Sequence, residues 1–162
     1  MLKRVISIFL MSIVLFLFGC NPFAENSSKD LPELKDISIQ DFENILAEQK
    51  GKVVLVNFFA SWCPPCKAET PEFVATYEKF KDKGFVIIGI SIDEDVSKAK
   101  SFIADYKITY PTYHATRELE QKMGVSSIPT NIFYTKDGKL YNAIVGAISA
   151  DFLEKTINEL SK

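Results

Sequence analysis

The feature that most constrains this chain is a short apolar run that ends in two cysteines and then changes period. Val53-Val54-Leu55-Val56-Asn57-Phe58-Phe59 is almost continuously apolar and rich in β-branched and aromatic residues. That is the pattern of a strand buried on both faces of a parallel sheet. Ala60-Ser61-Trp62-Cys63-Pro64-Pro65-Cys66-Lys67 follows, and beyond it Phe73, Tyr77 and Phe80 recur at helical spacing. Pro64 and Pro65 suit the first helical turn, where backbone N–H groups have no intrahelical partner. Cys63 therefore falls at the positive end of a helix, which favours its thiolate and sets an expected pKa below the free value of about 8.5. Cys66, three residues on, lies within bonding reach of the same sulfur. A dithiol that opens and closes a disulfide is the chemistry these residues suggest.

Other uses of such a pair fit less well. Zinc normally takes four ligands, and the chain offers Cys20, Cys63, Cys66 and the single His114. A purely structural disulfide across so short a loop restrains the unfolded chain little. No metal and no cofactor are expected.

The first twenty residues read as an address. Lys3 and Arg4 precede an apolar stretch, 5–18, of the length of a signal h-region and short of the roughly 20 residues that span a bilayer. It closes on Leu17-Phe18-Gly19-Cys20, which resembles a bacterial lipobox and implies lipid attachment at Cys20. An uncleaved anchor and plain secretion are the alternatives, and all three place the dithiol outside the cytoplasm. Residues 21–35, with Pro22, Asn26, Ser27, Ser28 and Pro32 and no apolar period, read as a flexible tether to the membrane. Residues 36–162 are expected to form one domain. Without Lys3 and Arg4 the 19 basic residues become 17 against 21 acidic ones, a net charge of about −4. That balance argues against nucleic acid as a partner and against attraction to anionic lipid.

Along the domain, periodicity predicts an edge strand over 36–39, a helix over 41–49, strands over 53–59 and 85–92, and a dithiol-led helix running to about 83 with Pro71 inside it. Helices are predicted over 96–106 and 118–123, with a short extended piece at 112–114. Lys136-Asp137-Gly138-Lys139 joins strands 131–134 and 140–145 as a hairpin, and a helix over 150–160 ends the chain. The result is an α/β fold, a central mixed sheet with helices on both faces.

These segments together resemble the thioredoxin fold. Asn57-Phe58-Phe59-Ala60-Ser61-Trp62-Cys63-Pro64-Pro65-Cys66-Lys67 resembles that family's active-site segment, Pro71 its helix kink, and Ser127-Ile128-Pro129-Thr130 its cis-proline loop. Residues 93–112 resemble the helix and strand inserted in the TlpA/ResA-type branch, whose members are extracytoplasmic thiol–disulfide oxidoreductases, some serving cytochrome c maturation. The resemblance implies that Cys63 attacks or holds the substrate sulfur and that Cys66 resolves the mixed disulfide. It implies that Trp62, Pro64, Pro65, Ile128 and Pro129 form the substrate-facing surface. It also implies disulfide-containing protein substrates, apocytochrome c among the candidates, and a membrane electron donor for re-reduction. Thioredoxin has a buried aspartate where this chain has Asn57, and an amide takes no proton, so acid–base help for Cys66 comes from another group or from water. Glu69 matches a glutamate of ResA-like proteins and is the candidate; a solvated helix glutamate is the equally weighted reading. Thr130 departs from the glutamate that the CcmG-like branch carries after its cis-proline.

Protein-disulfide reduction is the leading reading. Its rivals are a disulfide oxidase or isomerase, a thiol peroxidase, and a tethered binding module. Peroxidases of this fold typically carry Thr three residues before the reactive Cys, where this chain has Ala60. His114 reads as structural, and Asp93, Glu94 and Asp95 as a solvated turn leading into a helix.

Overall fold

Alternation along two strands decides which helix packs where. In the computed structural model, which describes residues 31–162, the strands are β1 (Asp36–Ile37), β2 (Val53–Phe59), β3 (Phe85–Ser91), β4 (Thr112–Ala115), β5 (Thr130–Tyr134) and β6 (Leu140–Val145). They form one sheet in the order β1-β4-β3-β2-β5-β6. The pairs from β1 to β2 are parallel, and β5 and β6 add antiparallel. Every residue of β2 and β3 is buried, as expected for central strands covered on both faces.

Side chains at alternate positions point to opposite faces. Val54, Val56, Phe58, Val86, Ile88 and Ile90 face one side, where Phe42 of α1 (Ile39–Ala47) and Leu119 of α4 (Arg117–Lys122) cover them. Val53, Leu55, Phe85 and Ile87 face the other, where they meet Phe73 and Phe80 of α2 (Pro64–Phe80) and Leu153 and Ile157 of α5 (Ala150–Leu160). The remaining helix, α3 (Val96–Asp105), buries Ala99 and Ile103 against Leu34, while its Phe102 packs near the dithiol. The helix α3 and strand β4 together are the expected insertion, and the thioredoxin-like α/β architecture is the one predicted.

Some boundaries differ from expectation, for local reasons. The predicted strand 36–39 stops at Ile37 because Ser38 caps a helix. Its Oγ accepts the Asp41 N–H at 3.2 Å, and the Asp41 carboxylate accepts the Ser38 N–H at 2.9 Å. This reciprocal box starts α1 two residues before the predicted helix. After α2 the chain makes a short 3₁₀ turn at Lys81–Lys83 and leaves through Gly84 at φ 80°, a conformation that suits glycine. The packed chain begins earlier than residue 36: Leu34 is buried, and the Lys35 carbonyl accepts the His114 N–H at 2.9 Å. The lipidation expected at Cys20 and residues 1–30 of the expected signal and tether lie outside the described residues.

Phe133 is fully buried on the α2–α5 face of the central sheet. Phe133→Ala is expected to lower the unfolding free energy by about 3–5 kcal/mol, read as a fall in the urea midpoint at unchanged slope.

Candidate active site

The link between β2 and α2 is four residues, Ala60 to Cys63, so the reactive pair is set directly by the end of a buried strand. Cys63 is the N-cap of α2, with extended backbone, and Pro64 and Pro65 fill the first helical positions. Proline has no N–H, so the first amide donor of the helix is that of Cys66. It points at Cys63 Sγ, 3.2 Å away. The next, from Lys67, goes to the Cys63 carbonyl at 3.1 Å. The cap is therefore a sulfur, and the charge on a thiolate there meets both a hydrogen-bond donor and the helix dipole. Cys63 and Cys66 are joined by a disulfide, with Cα atoms 5.3 Å apart.

The dithiol is shielded. Cys63 is 3% exposed and Cys66 wholly buried, in a cluster with Phe59, Ala60 and Phe102. Phe59 stacks on Phe102 with centroids 5.3 Å apart. Trp62 is 61% exposed, so its indole is a surface beside the dithiol and not core. Pro64, Pro65 and Lys67 are exposed as well. The Ile128–Pro129 peptide is cis, and Ile128 packs against the dithiol cluster. Thr130 Oγ1 donates to the Ser127 carbonyl at 2.6 Å across the same loop. The cysteines, Trp62, the two prolines and Ile128 thus share one region.

Glu69 lies one helical turn after Cys66 and is 3% exposed; the solvated alternative does not hold. Its Oε1 accepts from Asn57 Nδ2 at 2.9 Å. Its Oε2 accepts the Ile148 N–H at 3.2 Å and Asn131 Nδ2 at 3.3 Å. Asn57 and Asn131 are register partners on β2 and β5, and Asn57 Nδ2 also donates to Asn131 Oδ1 at 2.9 Å. Burial pushes the Glu69 carboxyl up from 4.5 to about 7, against the opposing pull of the Ile148, Asn131 and Asn57 bonds. Glu69 is among the residues that border a hollow of about 250 Å³, with Glu72, Ala147 and Ser149. Asn131 and Ile148 were not identified from sequence. The signal for Asn131 was a polar residue heading the apolar run Ile132-Phe133-Tyr134, since a buried amide needs partners.

Asp93 corrects the reading of residues 93–95 as a solvated turn. Glu94 is exposed and Asp95 caps α3 through the Ser97 N–H at 3.0 Å, but Asp93 is 1% exposed. Its carboxylate accepts the Ser61 N–H at 2.9 Å and hydroxyls from Ser61 at 2.5 Å and Ser91 at 2.9 Å. His114 is structural: Nε2 donates to the Asp93 carbonyl at 2.7 Å, and Nδ1 lies 2.8 Å from an Asp36 carboxylate oxygen. Among the described residues no group of three or more His, Cys, Asp or Glu gathers as a metal site.

A thioredoxin-type sheet with a capped dithiol at a strand-to-helix junction, beside a cis-proline loop, defines a redox protein of the disulfide-exchange class. The model of the AhpC/TSA family matches residues 27–143. The thiol-disulfide oxidoreductase ResA of Oceanobacillus iheyensis is 33% identical over 132 residues, covering 80% of this chain and 69% of that protein. The sporulation thiol-disulfide oxidoreductase A of Bacillus subtilis is 24% identical over 164 residues, covering 97% of this chain and 98% of the relative. Among solved structures, a thioredoxin-family thiol:disulfide interchange protein from Chlorobium tepidum TLS superposes with a TM-score of 0.67 at 32% identity, covering 72% of this chain and 84% of that one. The chain belongs to the AhpC/TSA family and, within the thioredoxin fold, to the TlpA/ResA-like thiol–disulfide oxidoreductases.

The raised Glu69 pKa makes stability depend on pH. The folded protein holds this proton up to about pH 7, the unfolded chain only to about 4.5. Ionisation therefore opposes folding: stability is fully present below about pH 4.5 and is lost as pH rises through about 7, by up to about 3 kcal/mol. In urea titrations at pH 5 and pH 8, the parent protein is expected to lose more stability over that interval than Glu69→Gln.

Proposed function

We propose that this protein reduces disulfides in protein substrates outside the cytoplasm, with Cys63 as nucleophile and Cys66 as resolving thiol. The observation that carries the reading is the Cys66 N–H aimed at Cys63 Sγ at the start of α2. The Cys63 thiolate attacks one sulfur of a substrate disulfide. A mixed disulfide forms, and the second substrate sulfur leaves as a thiolate. Cys66 then gives up its proton and attacks Cys63 Sγ; the Cys63–Cys66 disulfide forms and the remaining substrate sulfur is released and protonated. The dithiol loses two electrons and the substrate gains them.

Glu69 serves as the proton acceptor for Cys66 and returns the proton. A carboxyl poised near neutrality can do both. Three features support that role: burial, a position one turn from Cys66, and the bonds from Asn57 and Asn131 that fix its orientation. Exposed Trp62, Pro64 and Pro65, with Ile128 and Pro129, form the contact surface for an extended substrate segment. The lipobox-like Leu17-Phe18-Gly19-Cys20 supports a lipid tether at Cys20 in the bacterial cell envelope. There a membrane electron donor returns two electrons to the Cys63–Cys66 disulfide and restores the dithiol, because the compartment lacks a general reductant. Apocytochrome c is one substrate that the TlpA/ResA likeness suggests. Ala60, where peroxidases of this fold typically carry Thr, favours exchange over the peroxidase alternative, and the bonded Cys63–Cys66 pair favours it over a binding module.

Reduced Cys66→Ser protein is expected to accumulate mixed disulfides through Cys63 when exposed to oxidised extracytoplasmic proteins, released by dithiothreitol. A trap that captures nothing contradicts the reading. The measured potential is expected nearer the thioredoxin value of about −270 mV than the oxidant value of about −120 mV; the reverse would favour an oxidase. Glu69→Gln is expected to slow the resolving step about 100-fold and to flatten its pH profile, measured by stopped-flow Trp62 fluorescence.

A further inference from the structure

The exchange chemistry leaves one buried carboxylate without a task. Asp93 follows β3 and reaches across to the link that carries the dithiol, 32 residues earlier in the chain. Its Oδ2 accepts the Ser61 N–H at 2.9 Å and the Ser91 hydroxyl at 2.9 Å, and its Oδ1 accepts the Ser61 hydroxyl at 2.5 Å. The Asp93 N–H donates back to Ser91 Oγ at 3.1 Å, and its carbonyl accepts from His114 at 2.7 Å. Asp93 is thus anchored by β3 through its carboxylate and by β4 through its backbone carbonyl, and the carboxylate holds Ser61 by both backbone and side chain. Burying a charge is costly unless donors surround it, and here two of the three carboxylate donors belong to a single residue of the redox link.

Ser61 needs such an anchor. The next side chain, Trp62, is 61% exposed and borders an open hollow of about 420 Å³ with Ile92, Asp93 and Lys98. Side-chain packing therefore leaves much of the indole unsupported, and the backbone beneath it is held by the Cys63 N–H on the Ala60 carbonyl at 3.1 Å and, from the preceding residue, by Ser61 on Asp93. We propose that Asp93 is a positioning residue for disulfide exchange with protein substrates: through Ser61 it holds the backbone from which Trp62 and Cys63 meet the incoming polypeptide. This rests on the reading of Cys63 as the nucleophile. The Cys66 N–H that serves Cys63 Sγ comes from α2 itself, so the sulfur's own reactivity does not pass through Asp93. Alignment of a large partner does.

Trp62 is the single tryptophan of the chain, so its fluorescence anisotropy reports the link directly. In Asp93→Ala, kcat/KM for insulin disulfide reduction is expected to fall about tenfold, and Trp62 anisotropy to fall with it. The rate with the small disulfide 5,5′-dithiobis(2-nitrobenzoate), which needs no alignment of a polypeptide, is expected to fall by clearly less than the insulin rate. Asp93→Asn, which keeps an acceptor for the Ser61 N–H, is expected to recover most of the insulin rate, and Ser61→Ala to fall between parent and Asp93→Ala. Parent-like anisotropy and insulin rate in Asp93→Ala overturn the proposal, as does an Asn variant no better than Ala. If Asp93→Ala does not fold, parent-like behaviour of Ser61→Ala in both readouts overturns it. A parent protein inert toward both disulfides removes the reductase reading, while the anisotropy of the variants still decides whether Asp93 holds the link.

Discussion

The hydrogen bond from the Cys66 amide to Cys63 Sγ is the contact on which the rest of the site depends. It exists because three local facts coincide. The buried strand β2 ends at Phe59, the link to α2 is only four residues long, and prolines occupy the first two helical positions. Prolines remove the two amides that would otherwise compete for the cap, so the first available donor belongs to the second cysteine. In the reaction proposed above, the reduced pair keeps this contact, and the resolving residue stabilises its partner's thiolate before attacking it. Moving either cysteine by one residue would aim that amide elsewhere.

Around this contact two buried carboxylates are supplied with donors in different ways. Glu69 sits against the sheet on α2, accepts from two asparagine side chains and one backbone amide, and borders a hollow. Asp93 closes the end of β3 and accepts from serines on the link and on its own strand. No buried side-chain nitrogen or oxygen among the described residues lacks a partner, as a polar network inside a packed fold requires. The first arrangement suits a group that gains and loses a proton. The second suits a fixed strut.

Much of this was legible in sequence because it is local. The apolar run 53–59 and its abrupt change of period located β2, α2 and the dithiol, and the Asp137-Gly138 turn located the β5–β6 hairpin. The final helix and β6 fell on the residues that periodicity indicated. What sequence did not disclose are contacts between residues far apart along the chain. Asn57 meets Asn131 only because β2 and β5 pair antiparallel in one register, across 74 residues. Ser61 meets Asp93 only because β2 and β3 end side by side. A charged turn after a strand reads as solvated until the neighbouring strand's loop is known to close over it. The capping box at Ser38 was local and readable, but the two apolar residues beside it drew the strand prediction past its true end.

The most direct test of the account is the pH dependence of iodoacetamide alkylation in the reduced protein, followed residue by residue by mass spectrometry. A sulfur capped by the Cys66 amide at the start of α2 should react at Cys63 with a midpoint well below the free-cysteine value of about 8.5, while buried Cys66 stays largely unmodified. Two thiols titrating together near the free-cysteine value would contradict it.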